Sequence, residues 1–211
     1  MEQYYINING ISHYDLGIIW AVGSYNENGR FSFRHKEKHF INRLNGYFTN
    51  TIYQQKRSKN KIDEQYVLKT KNLNVYDLYN IGWSERNSDI RDIPNLPNLS
   101  DYKDFLRAYI ELHSTLDYST RHKNNGDKYK ALRLRIYGNT NLMDSVNKLL
   151  SREVRVGIKT IQTLSNHKTS IIYYTSFLEI QNIFNYLYGE PNFNNFWEDI
   201  NCKLKVPTKE Y

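Results

Sequence analysis

The sequence predicts an α+β fold built from two pseudo-symmetric repeats. An apolar stretch with small residues at helical spacing occurs twice, the same order of elements follows each copy, and a stiff proline-containing connector separates them. The first stretch is Asp15-Leu16-Gly17-Ile18-Ile19-Trp20-Ala21-Val22-Gly23-Ser24. The second is Phe105-Leu106-Arg107-Ala108-Tyr109-Ile110-Glu111-Leu112-His113-Ser114-Thr115. Each opens a unit that continues as strand, helix, strand, strand, helix.

In the first stretch Gly17 and Ala21 lie four apart, so on a helix they share one face and allow a partner helix to approach closely. Ala108, between Phe105 and Leu112, is the small residue of the second helix, with Ser100 or Asp101 as its cap. These residues are the expected helix–helix interface. Phe31-Ser32-Phe33-Arg34 and Leu132-Arg133-Leu134-Arg135-Ile136 alternate apolar with polar, the period of a half-buried strand. A helix follows each: 36–48, with Phe40, Ile41 and Leu44 apolar, and 141–150, with Leu142, Met143, Val146, Leu149 and Leu150 apolar. Strand pairs come next, 51–57 with 65–70 and 156–164 with 171–175. The closing helices, 73–81 and 178–188, stop at Gly82 and Gly189, whose freedom at positive φ suits a helix end.

Ile93-Pro94-Asn95-Leu96-Pro97 cannot continue a helix and is read as the connector. The expected organisation is a first repeat over 1–92, a connector over 93–100, a second repeat over 101–190 and a C-terminal extension over 191–211. The second copy is longer, and 117–130 is read as a polar insertion.

The chain has 211 residues, 39% of them hydrophobic, enough for one domain or two small halves. No apolar run reaches the roughly 20 residues of a membrane span, and the N-terminus lacks a signal-peptide pattern. A cytoplasmic protein of a bacterial or phage-infected cell is expected, in keeping with the Asn, Lys, Ile and Tyr richness of an AT-rich genome. Cys202 is the only cysteine, which excludes an intramolecular disulfide and a thiolate zinc site. The six histidines fall into no metal spacing such as HExxH, and no P-loop, GxSxG or dinucleotide fingerprint occurs. Lys and Arg number 29 against 22 Asp and Glu, a formal charge of +7 that favours a polyanionic partner.

With these residues in this order, the chain resembles the LAGLIDADG homing endonucleases in their single-chain, two-repeat form, over residues 12 to 190. The resemblance rests on Leu16 to Ser24, on the run from Ile93-Pro94 to Tyr109, and on Tyr173-Tyr174-Thr175-Ser176 leading into Ile180, Ile183 and Leu187. It implies two αββαββα repeats, central packed helices, and saddle-shaped antiparallel sheets lying along double-stranded DNA. Alternation along the strands then points Ser32, Arg34, Tyr53, Gln55, Arg57, Arg133, Arg135 and Tyr137 at the groove. Arg suits guanine O6 and N7, and Gln suits adenine. Lys56, Lys59, Lys61 and Lys168 at hairpin tips would neutralise phosphates.

The resemblance also implies an acidic residue at the foot of each signature helix, where paired carboxylates hold a divalent metal. Val22 and His113 occupy those positions. Mg²⁺ requires oxygen ligands, valine offers none, and imidazole suits softer ions. Glu27 and Asp117, just beyond the helices, are the residues able to rescue a metal site in a shifted register.

The expectation is therefore a DNA-binding protein without nuclease activity, monomeric and free of cofactor, acting as a regulator or a mobile-element or phage accessory. Two alternatives stay open. One is an active endonuclease using Mg²⁺ through displaced ligands. The other is a protein-interaction module, such as a phage-encoded inhibitor or antirepressor, for which the 19 tyrosines suit a protein partner.

Overall fold

The computed structural model describes residues 6–56, 64–85, 88, 90–165 and 169–189. The chain divides into two compact units, Met1–Leu112 and His113–Tyr211. Among the described residues each unit carries one four-stranded antiparallel sheet, and the architecture is α+β.

The first unit begins with helix α1 (His13–Val22). Ser12 caps it, its hydroxyl accepting from the Asp15 N–H at 3.1 Å. The buried Asp15 carboxylate in turn accepts from Tyr47 Oη at 2.8 Å and from Arg43. Leu16 through Val22 are all buried, so this helix is apolar all round and is core. Its C-terminal end is closed from outside the helix. Arg91, itself buried, donates to the Trp20 carbonyl, one of the oxygens that helix geometry leaves without an internal partner, and the Trp20 indole donates to Asp92 O at 2.8 Å.

Strands β1 (Gly23–Asn26), β2 (Arg30–His35), β3 (Tyr53–Lys56) and β4 (Glu64–Thr70) form the sheet in the order β1-β2-β4-β3. Helix α2 (Lys38–Phe48) turns Phe40, Ile41, Leu44 and Phe48 inward, and Phe48 stacks on Phe33 of β2 at 5.8 Å between ring centroids. Helix α3 (Val75–Asn80) follows, with Phe31 against Trp83 at 5.4 Å. Gly82, one residue past the helix cap, has φ +98°, as its reading as a helix-stop glycine requires.

Helix α4 (Asp101–His113) packs on α1 within the first unit. Their N-terminal ends meet at His13 and Asp101, 3.6 Å apart. Farther along, Gly17 faces Ala108 so closely that a β-carbon on Gly17 would lie 2.5 Å from the Phe105 carbonyl oxygen and 2.8 Å from Ala108 Cβ. Ala21 and Ala108 are buried and Leu112 is half-buried.

The second unit orders its strands β5 (Ser114–His122), β6 (Lys128–Gly138), β8 (Ser170–Tyr174) and β7 (Gln162–Thr163). Helices α5 (Thr140–Val154) and α6 (Phe177–Tyr188) pack on it, capped by Asn139 and Ser176. Leu132, Leu134 and Ile136 are buried beneath them.

The extra residues expected over 117–130 form most of a long hairpin, β5 paired with β6 from Ser114↔Ile136 out to His122↔Lys128, where β1 and β2 pair only from Gly23↔Phe33 to Asn26↔Arg30. One sequence expectation changes here. Strand 156–164 shrinks to Gln162–Thr163. The backbone of Lys159 is instead bracketed by the Asn147 amide, which donates to Lys159 O at 2.7 Å and accepts from its N–H at 3.0 Å, and Gly157 N–H donates to Glu179. Side chains satisfy these backbone groups, so no ladder is needed. The C-terminal extension and Cys202 lie outside the described residues.

Among the described residues, no helix is long and apolar enough to cross a membrane.

His35, at the end of β2, lies edge-on to Phe40 at 5.1 Å, and burial pushes its imidazole below the usual histidine range. The unfolded chain therefore holds the proton more tightly, so the fold is favoured fully above the ordinary histidine pKa of 6.5 and progressively less below it. Thermal melts should show stability rising with pH up to that value. His35→Gln should flatten that segment of the curve.

Candidate nucleic-acid interface

Residues directly opposite each other on antiparallel strands share a face, and neighbours along a strand alternate. In the first sheet Phe31, Phe33 and Leu68 therefore define the buried face. The other face carries Asn26, Arg30, Arg34, Tyr53, Gln55, Gln65 and Lys69. One row across three strands reads Arg34, Val67, Tyr53, and the valine is fully buried in the middle of this polar surface. The Lys69 ammonium sits over the Tyr53 ring at 5.4 Å. The aromatic and cationic side chains thus close over an apolar floor.

Ser32 has the right parity but not the exposure. It is 4% accessible, and its hydroxyl accepts from Arg34 Nε at 3.1 Å. Ser32 thus lies on the expected face, beneath Arg34, which its hydroxyl holds and which is exposed. Lys56 pairs with Glu64 on the opposite parity from Gln55 and is exposed at the end of β3. Arg57, Lys59, Lys61 and Lys168 lie outside the described residues.

In the second sheet the same construction puts Leu132, Leu134 and Ile136 on the buried face, with Arg133, Arg135, Tyr137 and Tyr173 on the other. Tyr137 Oη and Thr115 Oγ1 are 3.1 Å apart, and Arg135 lies over the Tyr137 ring at 5.9 Å. Beyond the part of β6 that pairs with β8, the β5–β6 hairpin ends in exposed Arg121, His122, Lys123, Lys128 and Lys130.

Sequence reading missed Arg30, Lys69 and Arg121 on these faces. Arg30 was within reach, since it shares the parity of Arg34 four residues on. Lys69 and Arg121 were not, because their parity emerges only from strand pairing.

A divalent-metal site does not fit the residues at the helix ends. Val22 is 8% accessible and has no donor atom, and His113 ends α4 as an imidazole. Glu27 sits in the turn after β1, about 13 Å of strand away from Gly23 at ~3.3 Å per residue. Both Asp117 carboxylate oxygens accept from arginines: Arg133 Nε and Nη2, each at 2.9 Å, and Arg135 Nη2 at 2.5 Å. Among the described residues no three His, Cys, Asp or Glu side chains gather where they could hold an ion.

Two repeats of this kind, each a four-stranded sheet with helices on one face, are the LAGLIDADG fold, and solved structures of that fold superimpose on nearly the whole chain. The I-LtrWI LAGLIDADG homing endonuclease bound to target DNA matches with a TM-score of 0.58 and 17% identity, over 93% of this chain and 90% of that one. I-SmaMI, bound to an uncleaved DNA target in the presence of calcium ions, matches at 0.57 and 14%, over 92% and 90%. The N-terminal LAGLIDADG domain of DUF199/WhiA matches at 0.55 and 14%, over 91% and 90%. No family model matches the sequence, and no curated protein matches it.

Proposed function

We propose that this chain binds double-stranded DNA at a particular sequence without cutting it. It acts as a regulator, or as an accessory factor of a mobile element or phage, in the bacterial cytoplasm. The observation that carries this reading is the outer face of each sheet, where Arg34, Tyr53, Gln55 and Lys69 in one unit and Arg133, Arg135, Tyr137 and Tyr173 in the other stand opposite a closed apolar face. A β-ribbon fits the major groove, where Arg and Gln pair with distinct base edges. The fold's similarity to proteins solved on DNA supports the same partner. Two repeats in one chain favour a monomer.

Loss of cleavage is supported by the donor set. Val22 and His113 replace the acids that the fold's nucleases use, and Asp117 is committed to two arginines. The function requires no cofactor.

The test is a mobility shift on a duplex enriched from a random-sequence pool, in EDTA, followed by incubation of the same duplex with Mg²⁺ or Mn²⁺. A metal-independent shift and intact DNA are expected. Equally feeble binding to every duplex would overturn sequence-specific DNA binding. Cleavage that disappears on mutating Glu27 or Asp117 would establish an endonuclease with displaced ligands.

A further inference from the structure

We propose that Asp117 is a specificity-determining residue of the second sheet's outer face, holding Arg133 and Arg135 as a fixed pair of guanidinium forks for base edges. The inference rests on the duplex-binding reading above and concerns what makes that binding selective.

The register creates the cluster. Asp117 lies directly opposite Arg133, and Arg135 is two residues farther along the same strand, so all three side chains leave the sheet on one face. Each side chain is about a third accessible, at 29%, 31% and 30% respectively, partly sunk but within reach of a ligand. Arg133 presents its Nε–Nη2 edge to the carboxylate, both bonds at 2.9 Å. That leaves its end-on edge, Nη1 with Nη2, uncommitted. Guanine O6 and N7 are read by just such a two-donor edge. Arg135 contributes Nη2 at 2.5 Å, while its Nε is buried without a partner, so the carboxylate and the Tyr137 ring are what restrain it.

Two physical consequences follow. An arginine held at its base has already lost most of the rotamer freedom that binding would otherwise remove, and it has one geometry to offer. A carboxylate on a basic face also repels phosphate, so it weakens attraction to every duplex while leaving matched base contacts intact. Selectivity arises from that difference. Arg133 holds the Asp117 carboxyl below the usual carboxylate range against the opposing effect of burial, so the charge persists at neutral pH. The corresponding pair in the first sheet, Asn26 opposite Arg30, contains no acid, and the Asn26 side chain accepts instead from backbone N–H groups of its own turn.

The experiment uses the full chain as wild type, Asp117→Asn and Asp117→Glu. Each is titrated with a 30-base-pair duplex selected by the wild type from a random pool, and with a shuffled duplex of the same composition. Asp117→Asn is expected to bind the shuffled duplex more tightly and to lose on the order of tenfold in the ratio of the two affinities. Its salt dependence should steepen by about one unit as a released arginine turns to phosphate. Asp117→Glu, which keeps the charge, should recover most of the ratio. A merely structural aspartate would instead give equal losses on both duplexes, with no steeper slope. That outcome, or an unchanged ratio, would overturn the proposal while leaving duplex binding standing. Wild-type protein that binds both duplexes alike would overturn the duplex reading and this inference together.

Discussion

Gly17→Val is expected to destabilise the protein by about 3 kcal/mol or more, the upper range of overpacking costs. The obstacle is backbone. A β-carbon at Gly17 would stand 2.5 Å from Phe105 O, which no rotamer change can move, and 2.8 Å from Ala108 Cβ. Helix propensity acts in the opposite direction, but replacing a helical glycine gains at most about 1 kcal/mol, so the clash prevails. Against a typical total stability of about 5–15 kcal/mol the loss is large. Gly46→Ala is the control. Gly46 is helical and exposed, with nothing within 4 Å of the added carbon, so a gain of about 0.5–1 kcal/mol is expected. Urea midpoints of the two variants should move in opposite directions. Equal midpoints would mean that α1 and α4 are not in this contact.

The second large effect is on binding. If roughly six of the exposed cations on the two sheet faces and the β5–β6 tip meet phosphates, the logarithm of affinity should fall with the logarithm of salt at a slope of about −5. A fourfold rise in salt then costs about 10³ in affinity. Replacing Arg121, Lys123, Lys128 and Lys130 together with alanine should flatten that slope while leaving the preference for the selected duplex in place, because phosphate contacts carry no sequence information. A slope near zero in the wild type would contradict binding through these faces. A lost preference in the tip variant would assign base reading to the hairpin.

How much of this was legible in the residues varies by element. The buried face of β2 and β6 was readable, since Phe31, Phe33, Leu132, Leu134 and Ile136 alternate cleanly. So was α1, whose small residues Gly17 and Ala21 lie four apart, at helical spacing, within an apolar run. The β5–β6 hairpin was not, because the alternation of Leu116 and Tyr118 with Thr115, Asp117 and Ser119 gives way to an exposed polar run over 120–128, where no period is left to detect. The stretch 156–161 failed in the other direction, its apolar residues suggesting a strand whose backbone groups Asn147 and Glu179 had already satisfied. Ser32 was placed on the correct face, but its burial beneath Arg34 depends on a neighbouring side chain.

Local pattern was thus enough for the repeat, the two core helices and the inward face of the leading strands, because each follows from residue type and spacing along a single element. Register across strands was needed for the rest. Lys69 joins Tyr53, and Asp117 meets two arginines, only once separate segments pair. Asp117 shows the difference most directly: as a residue in sequence it was a spare metal ligand, and its partners across the sheet make it the anchor of an arginine pair.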